Sequence, residues 1–377
     1  MNFSLLTNYL NQVDKNNFPD FRLLVYKDHK CLYDERFVSD DVLPEETEKD
    51  MYYIFSASKV ITCTAAMRLI QDGKLGIDDP VYKYLPEFKS LYVNKSGERV
   101  LTKNTLTVRH LFSMQGGFTY DLGHSEIKKI QAQTNNKATT LEMMKGLAKM
   151  TLSFEPGEDF QYSLCHDILA AVVEVASGKK YSEYLSEVIF TPLGMKDITL
   201  KTTPEVLKRM KQQYSVDQVT FTAIKKEATC PYILTENYEC GGAGMMTTAD
   251  DYIKFIDALA CGSSETGYRV LDEEHLALMG QNLLSEKSLE TYRANVSLKS
   301  GYGYGFGVRT MMEPEKSNSL TPIGEFGWDG AAGAFCLVDT KNHLSIYLAQ
   351  HVLCSPYGAS FHHAIKNIVY KCISDQF

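Results

Sequence analysis

Two residues suited to acyl transfer, Ser56 and Lys59, lie one helical turn apart near the start of an apolar segment. Residues 60–70 are nearly all apolar or small, which predicts a helix buried on all sides, and Gly73 follows as its expected end. A lysine rarely enters a core without a reason, and burial disfavours its charged form. Lys59 is therefore a candidate base for Ser56, and Ser56 is a candidate nucleophile.

The Ser-x-x-Lys spacing alone has little specificity, because it occurs three times, beginning at Ser56, Ser125 and Ser177. The second copy lies in the polar stretch GHSEIKKIQAQTNNK, which is typical of a solvated face. The third, SGKK, is typical of a helix C-terminus. Only the first copy is embedded in an apolar helix. The alternative interpretation of that copy is a core helix whose polar start is satisfied by neighbouring groups.

The composition excludes several classes of protein. A chain of 377 residues favours two structural units, and 44% hydrophobic with 23% charged residues is typical of a soluble globular protein. The net charge of −8 and the lack of a basic stripe argue against a nucleic-acid partner. No run approaches the roughly 18 apolar residues of a membrane helix, so no membrane partner is expected.

The cysteines and the N-terminus indicate the compartment. The nine cysteines are odd in number, scattered and never in a Cys-x-x-Cys pair. The N-terminus lacks the basic and apolar regions of a signal peptide, so we expect mostly buried, reduced thiols and a cytoplasmic location. No His-Glu-x-x-His or similar spacing suggests zinc, and we expect neither a metal nor a cofactor.

Strand patterns come from both ends of the chain and helix patterns from its middle. Strands are predicted at residues 21–27, 31–37, 301–310, 334–339 and 344–350. A helix is predicted to begin at Ser56 and to end before Gly73, and further helices are predicted at residues 139–150, 165–176, 184–193 and 359–373 and after the N-caps Thr107 and Thr248. This order predicts a mixed α/β (α+β) fold. Its α/β subdomain spans about residues 1–80 and 250–377, and a mostly helical subdomain spans about residues 81–249.

Several segments in order resemble the serine β-lactamase and penicillin-recognising superfamily, closest to its class C-like branch of esterases and D-amino-acid peptidases. They are FSASK, DGKLGIDDPVYKYLPEF, FEPGEDFQYS, SGKKYSEYLSEVIFTPLGM, GGAGMMTTADDYIKFIDAL, SGYGYGFGV and FGWDGAAGAFCLVD. They extend over roughly residues 21–350. The resemblance implies a single catalytic domain over residues 1–377, with an antiparallel sheet flanked by helices.

The resemblance also implies the catalytic residues: Ser56 as nucleophile, Lys59 as its partner, and Tyr162 as a proton relay at the family's Tyr-x-Asn element. From the residues alone, Tyr162 could equally be one of 23 tyrosines half buried at a loop. The third residue of this element is Leu164 instead of asparagine. Leucine cannot make that asparagine's bonds to the lysine and to a β-lactam amide; Ser163 or His166 could supply them.

The family's last element, lysine or histidine followed by x-Gly, is replaced here by Trp328-Asp329-Gly330. Tryptophan removes the cation that would pair with a penicillin or peptide carboxylate. The resemblance implies an oxyanion hole formed by the backbone N–H groups of Ser56 and Ala331. It also implies a substrate site with Trp328 and Gly330, joined by Leu164 and Gln115. The alternative for Trp328 is a buried side chain beside a β-bulge, and for Gln115 a solvated loop residue.

These expectations combine into a serine hydrolase that forms an acyl-enzyme on an ester or amide. Its partner would be a small-molecule ester, amide or peptide, and β-lactamase activity would be weak or absent. One alternative is a catalytically impaired binding or regulatory descendant of the fold, which Leu164 favours. Another is a cell-wall transpeptidase, which would require export.

Overall fold

The computed structural model of the chain describes residues 1–38, 50–217, 219–295 and 300–374. The α-helices are α1 (Ser4–Asn11), α2 (Ser58–Gln71), α3 (Val108–Phe112), α4 (Ser125–Gln133), α5 (Thr140–Leu147), α6 (Cys165–Ser177), α7 (Tyr181–Leu185), α8 (Pro204–Lys208), α9 (Ala249–Ala260), α10 (Glu273–Met279), α11 (Glu286–Asn295) and α12 (Gly358–Ser374). The strands are β1 (Asp20–Lys27), β2 (Lys30–Val38), β3 (Met51–Tyr53), β4 (Tyr92–Lys95), β5 (Glu98–Leu101), β6 (Thr151–Leu152), β7 (Ile198–Thr199), β8 (Gln213–Val216), β9 (Ala223–Lys226), β10 (Met246–Thr248), β11 (Tyr302–Tyr304), β12 (Arg309–Met311), β13 (Phe326–Gly327), β14 (Phe335–Asp339), β15 (Leu344–Gln350) and β16 (Val352–Leu353).

The main sheet is antiparallel and has seven strands in the order β11-β12-β13-β14-β15-β1-β2. Strand β1, from the N-terminal end, pairs with β15, from the C-terminal end. Because side chains alternate across a strand, Leu23 and Val25 pack with α1 and α12, whereas Leu24 packs on the opposite face with α9. The predicted class, an antiparallel sheet flanked by helices, is therefore confirmed.

Residues 301–310, predicted as one strand, instead form parts of two. Strands β11 and β12 pair antiparallel, with Tyr302 opposite Met311. The chain reverses at residues 305–308, where Gly307 has a φ of +80°. A Cβ atom at Gly307 would overlap the Cys63 sulfur of α2. The glycines therefore mark a tight turn pressed against the helix that carries Lys59.

The helical part of the chain packs around α2 and α6, both of which the sequence predicted. The helix expected at residues 184–193 begins earlier, as α7, and continues as a π-helical turn over Ser186–Phe190. One apolar core joins α2, α5 and α6 to strands β14 and β15, and the subdomain boundaries near residues 80 and 250 stay a prediction. Among the described helices, none combines the length and apolarity that crossing a membrane requires.

Candidate active site

Ser56 lies on a single 3₁₀ turn, Phe55–Ala57, between β3 and α2. The preceding residue, Phe55, has a φ of +46°, a left-handed conformation that costs a non-glycine residue about 1–3 kcal/mol. Phe55 is fully buried and packs with Tyr53 and Ala332, and this packing holds the strained turn. Ser56 itself stays partly exposed and lines a cleft.

Lys59 is fully buried on the first turn of α2 and donates three hydrogen bonds. Its Nζ atom lies 3.1 Å from Ser56 Oγ, 3.0 Å from the Tyr120 hydroxyl and 2.6 Å from the carbonyl oxygen of Gly242. An ammonium group has three N–H donors, so each donor has one acceptor. The geometry connects the predicted nucleophile directly to its predicted partner.

Tyr120 is a site residue that the sequence reasoning missed. It follows the HLFSMQGGF segment by two residues, and a glycine pair before an aromatic loop was the available signal. Its ring contacts the rings of Tyr162 and Tyr232, with centroids 5.6 and 5.4 Å away. Desolvation raises the pKa of Tyr120 well above its ordinary value. The side chain therefore approaches Lys59 as an uncharged phenol.

Tyr162 approaches Lys59 with its ring rather than with its hydroxyl. Lys59 Nζ lies 4.7 Å from the ring centroid of Tyr162, a cation–π distance. The Tyr162 hydroxyl accepts a hydrogen bond of 2.9 Å from Trp328 Nε1. Both aromatic residues line the same cleft as Ser56. The structure therefore brings Tyr162 and Trp328 together at the nucleophile, and Tyr120 occupies the hydroxyl position beside the lysine.

The segment after Trp328 brings Gly330 and Ala331 to the cleft. The N–H of Gly330 donates to Ala334 O at 2.6 Å, and a Cβ atom at Gly330 would overlap the carbonyl oxygen of Ile54. Only glycine therefore lets this segment lie against the chain just before Ser56. Within the described residues, the N–H groups of Ser56 and Ala331 have no hydrogen-bond acceptor, as an oxyanion hole requires.

Leu164 and Gln115 do not line the cleft. Leu164 is buried at the start of α6 and belongs to the apolar core. Gln115 is also buried, so the alternative of a solvated loop residue is wrong. Its amide contacts Ser113 Oγ at 2.8 Å and Ser288 Oγ at 3.2 Å. Both side chains are turned into the protein because their loops pack against neighbouring elements.

Neither suggested replacement for the family's asparagine contacts the lysine. The Ser163 hydroxyl contacts the sulfur atoms of Cys165 at 3.2 Å and Met114 at 3.8 Å. His166 contacts the carbonyl oxygen of Phe112 at 3.1 Å, and burial lowers its pKa to about 3. The extra acceptor for Lys59 is instead the Gly242 carbonyl.

The cleft has a volume of about 610 Å³ and largely aromatic walls. Its two carboxylates have partners: Asp329 lies 2.8 Å from buried Arg309, and Asp159 lies 3.3 Å from Lys287. Among the described residues, no lysine, arginine or histidine lines it. The lining residues are Ser56, Phe154, Asp159, Phe160, Gln161, Tyr162, Tyr232, Thr291, Asn295, Trp328, Asp329, Gly330 and Ala331.

Potential metal ligands lie elsewhere. Within the part of the chain that the structure describes, His29, Asp257 and Cys261 bring their ligand atoms within 4.8 Å of one another. None of the three lines the cleft.

The sequence matches the Beta-lactamase family over residues 7–353. Esterase EstB of Burkholderia gladioli is 27% identical over 349 residues, which cover 86% of this chain and 83% of EstB. A putative D-alanyl-D-alanine carboxypeptidase of Salmonella typhimurium is 24% identical over 90% of this chain and 79% of its own length.

Solved structures show the same fold. Unliganded simvastatin synthase (LovD) from Aspergillus terreus aligns with a TM-score of 0.81 at 20% identity, over 99% of both chains. EstCE1, described as a hydrolase with promiscuous acyltransferase activity, aligns with a TM-score of 0.77 at 21% identity, over 98% of both chains. The resemblance stated from the sequence is thus confirmed. The chain belongs to the Beta-lactamase family and is a hydrolase of the serine β-lactamase fold.

Proposed function

We propose that this protein is an esterase that forms an acyl-enzyme on Ser56 and acts on neutral, largely apolar esters. The observation that carries the proposal is the buried Lys59, whose Nζ atom contacts Ser56 Oγ at 3.1 Å. Burying a lysine is costly, and this one lies beside Ser56, the one serine among the described residues that line the cleft. An activated serine nucleophile accounts for that arrangement.

In the proposed reaction, Lys59 in its uncharged form accepts the Ser56 proton as Oγ attacks the ester carbonyl. The N–H groups of Ser56 and Ala331 stabilise the resulting oxyanion, and each such donor contributes about 2.7–4 kcal/mol. Lys59 then gives the proton to the leaving alcohol, and the Tyr162 hydroxyl, which lines the same cleft, donates a hydrogen bond to that alcohol oxygen as it leaves. Water hydrolyses the acyl-enzyme by the same steps in reverse order.

The walls of the cleft support a neutral substrate. The described lining carries no cation to bind a carboxylate, and Trp328 occupies the position where the family resemblance places one. Phe154, Phe160 and Tyr232 add apolar and aromatic surface that suits an acyl chain or an aromatic alcohol. A β-lactam or a peptide C-terminus would bring an unpaired carboxylate into this cleft, which disfavours both substrates.

The test uses p-nitrophenyl butyrate and a fluorophosphonate probe on the full chain. Ser56→Ala should abolish turnover and labelling, and Lys59→Ala should lower kcat/KM at least ~10²-fold. Ser125→Ala and Lys128→Ala, from the second Ser-x-x-Lys copy, are the matched controls and should change neither. Turnover that survives Ser56→Ala would contradict the proposal. An intact, folded chain without turnover or labelling would favour the non-catalytic alternative.

The cytoplasmic location stays a prediction. Five of the nine cysteines are buried, which fits side chains kept as thiols in a reducing compartment. Cell fractionation of the native host with an antibody against the chain tests it, and recovery in a secreted or envelope fraction would contradict it.

A further inference from the structure

Asp167 is a carboxylate in the core directly behind the candidate active site. It is 1% exposed, on the first turn of α6. Its Oδ1 atom accepts a hydrogen bond of 2.8 Å from the Tyr238 hydroxyl, and the Cys240 thiol and the Gly242 N–H also approach the carboxylate. Its buried Oδ2 atom has no partner in full hydrogen-bond geometry among the described residues. A buried carboxylate left partly unpaired is costly, so its retention requires a reason.

The Gly242 peptide separates Asp167 from Lys59. A Cβ atom at Gly242 would lie 2.5 Å from Asp167 Oδ2, and the carbonyl oxygen of the same residue accepts from Lys59 Nζ at 2.6 Å. Asp167 and Lys59 therefore face each other across one peptide group, and both are buried. At this depth the attraction between opposite charges is much stronger than in water.

The neighbouring histidine, thiols and phenols whose pKa shifts have a clear direction are uncharged near neutral pH. Burial lowers the pKa of His166 to about 3 and raises the pKa of every neighbouring thiol and phenol with a resolved shift. The raised groups are Cys63, Cys165, Cys230, Cys240, Tyr120 and Tyr238. Burial also raises the pKa of Asp167, and the field of Lys59 opposes that rise. Lys59 and Asp167 are thus the two groups of this cluster that can carry opposite charges.

We propose that Asp167 is a positioning residue that acts through Gly242 on Lys59, as the buried counter-charge of the lysine ammonium. The expected effect on turnover rests on the proposed function, whereas the charge pairing between Asp167 and Lys59 does not. Lys59 must lose its proton before it can accept one from Ser56. Asp167 therefore sets the pH at which the site becomes active, without touching the substrate.

The decisive variant is Asp167→Asn, which keeps the size of the side chain and removes its charge. Without the counter-charge, the acid limb of the kcat/KM profile for p-nitrophenyl butyrate should move to lower pH by about 1 unit. Glu239→Gln is the matched control. Glu239 is a buried carboxylate of the same segment that pairs with Lys180 at 2.9 Å, and its loss should leave the limb in place.

A merely structural role would lower kcat/KM equally at all pH values, and an unmoved acid limb in a folded Asp167→Asn variant overturns the inference. Should that variant not fold, nuclear magnetic resonance of the wild-type chain decides. The ¹³Cγ signal of Asp167 must report an ionised carboxylate at neutral pH, and a protonated one overturns the inference. This signal requires no substrate, so a chain with no esterase activity would refute the proposed function separately.

Discussion

We expect the hydroxyl of Tyr120 to contribute strongly to the reactivity of Ser56, although Tyr120 lies outside the motifs identified in the sequence. Tyr120→Phe removes one of the three acceptors of Lys59, at 3.0 Å from Nζ, and leaves the aromatic ring in place. A hydrogen bond to a charged group is worth about 1.5–3 kcal/mol. Since 1.36 kcal/mol is a factor of ten, kcat/KM should fall by roughly 10- to 150-fold.

Tyr162→Phe provides the comparison, because its hydroxyl contacts Trp328 Nε1 instead of Lys59. Initial rates with p-nitrophenyl butyrate measure the complete reaction, whereas the rate of fluorophosphonate labelling measures the attack of Ser56. Tyr120→Phe should slow both rates. With an alkyl ester such as methyl butyrate, Tyr162→Phe should slow turnover more than labelling, because the alkoxide must be protonated as it leaves whereas the fluoride of the probe need not be.

Tyr232→Phe is the matched control for these variants. Tyr232 lines the cleft and its ring contacts Tyr120, but its hydroxyl is not bonded to Lys59. It should retain turnover within about twofold, since Tyr232→Phe keeps the aromatic wall of the cleft and removes only one uncharged, partly buried hydroxyl. Thermal melting must first show that all three variants fold. The assignment of Tyr120 as the hydroxyl partner of Lys59 would be refuted if Tyr120→Phe were labelled at the wild-type rate while Tyr162→Phe lost most of its labelling rate.

Three further outcomes are expected. The unmodified protein should hydrolyse cephalosporins poorly, and Trp328→Lys should raise cephalosporin kcat/KM relative to ester kcat/KM at least about tenfold by restoring a cation for the carboxylate; an unchanged ratio would contradict this. Burial lowers the pKa of His351 to about 4, below the roughly 6.5 of an unfolded histidine. Its contribution to stability is therefore present above pH 6.5 and is lost as the pH falls towards 4, by up to about 3 kcal/mol. Between pH 6.5 and pH 4, the free energy of unfolding measured with urea should fall less in His351→Gln than in the wild type. An equal dependence on pH in the two proteins would contradict this. Finally, Gly242→Ala should lower kcat/KM at least about tenfold while the chain still folds. Its Cβ atom would lie 2.5 Å from Asp167 Oδ2, so residue 242 must shift and move the carbonyl that holds Lys59; unchanged kinetics would show that this carbonyl is dispensable.

Much of the fold and part of the candidate site could be predicted from local patterns. The apolar run after Ser56 specifies a buried helix, because burial on every side requires apolar residues at every position. The strands predicted at residues 21–27 and 31–37 form β1 and β2, and Thr248 caps α9 as predicted, accepting from Asp251 N at 3.2 Å. Ser56 and Lys59 lie close together because they are one turn apart on adjoining helical segments, so their contact needed no tertiary information.

The remaining site depended on the tertiary structure. Tyr120 and Gly242 are 61 and 183 residues from Lys59 in sequence, and no local period records such a contact. Gly242 contributes a backbone carbonyl, which every residue possesses, so its role has no side-chain signature. Leu164 is turned into the core, whereas its motif position had suggested the cleft. The sequence thus determined the helix and the pair of reactive groups on it, because those follow from local burial and helical spacing. Which hydroxyl and which carbonyl complete the site was decided by how distant loops pack, since the shape of the core fixes those long-range distances.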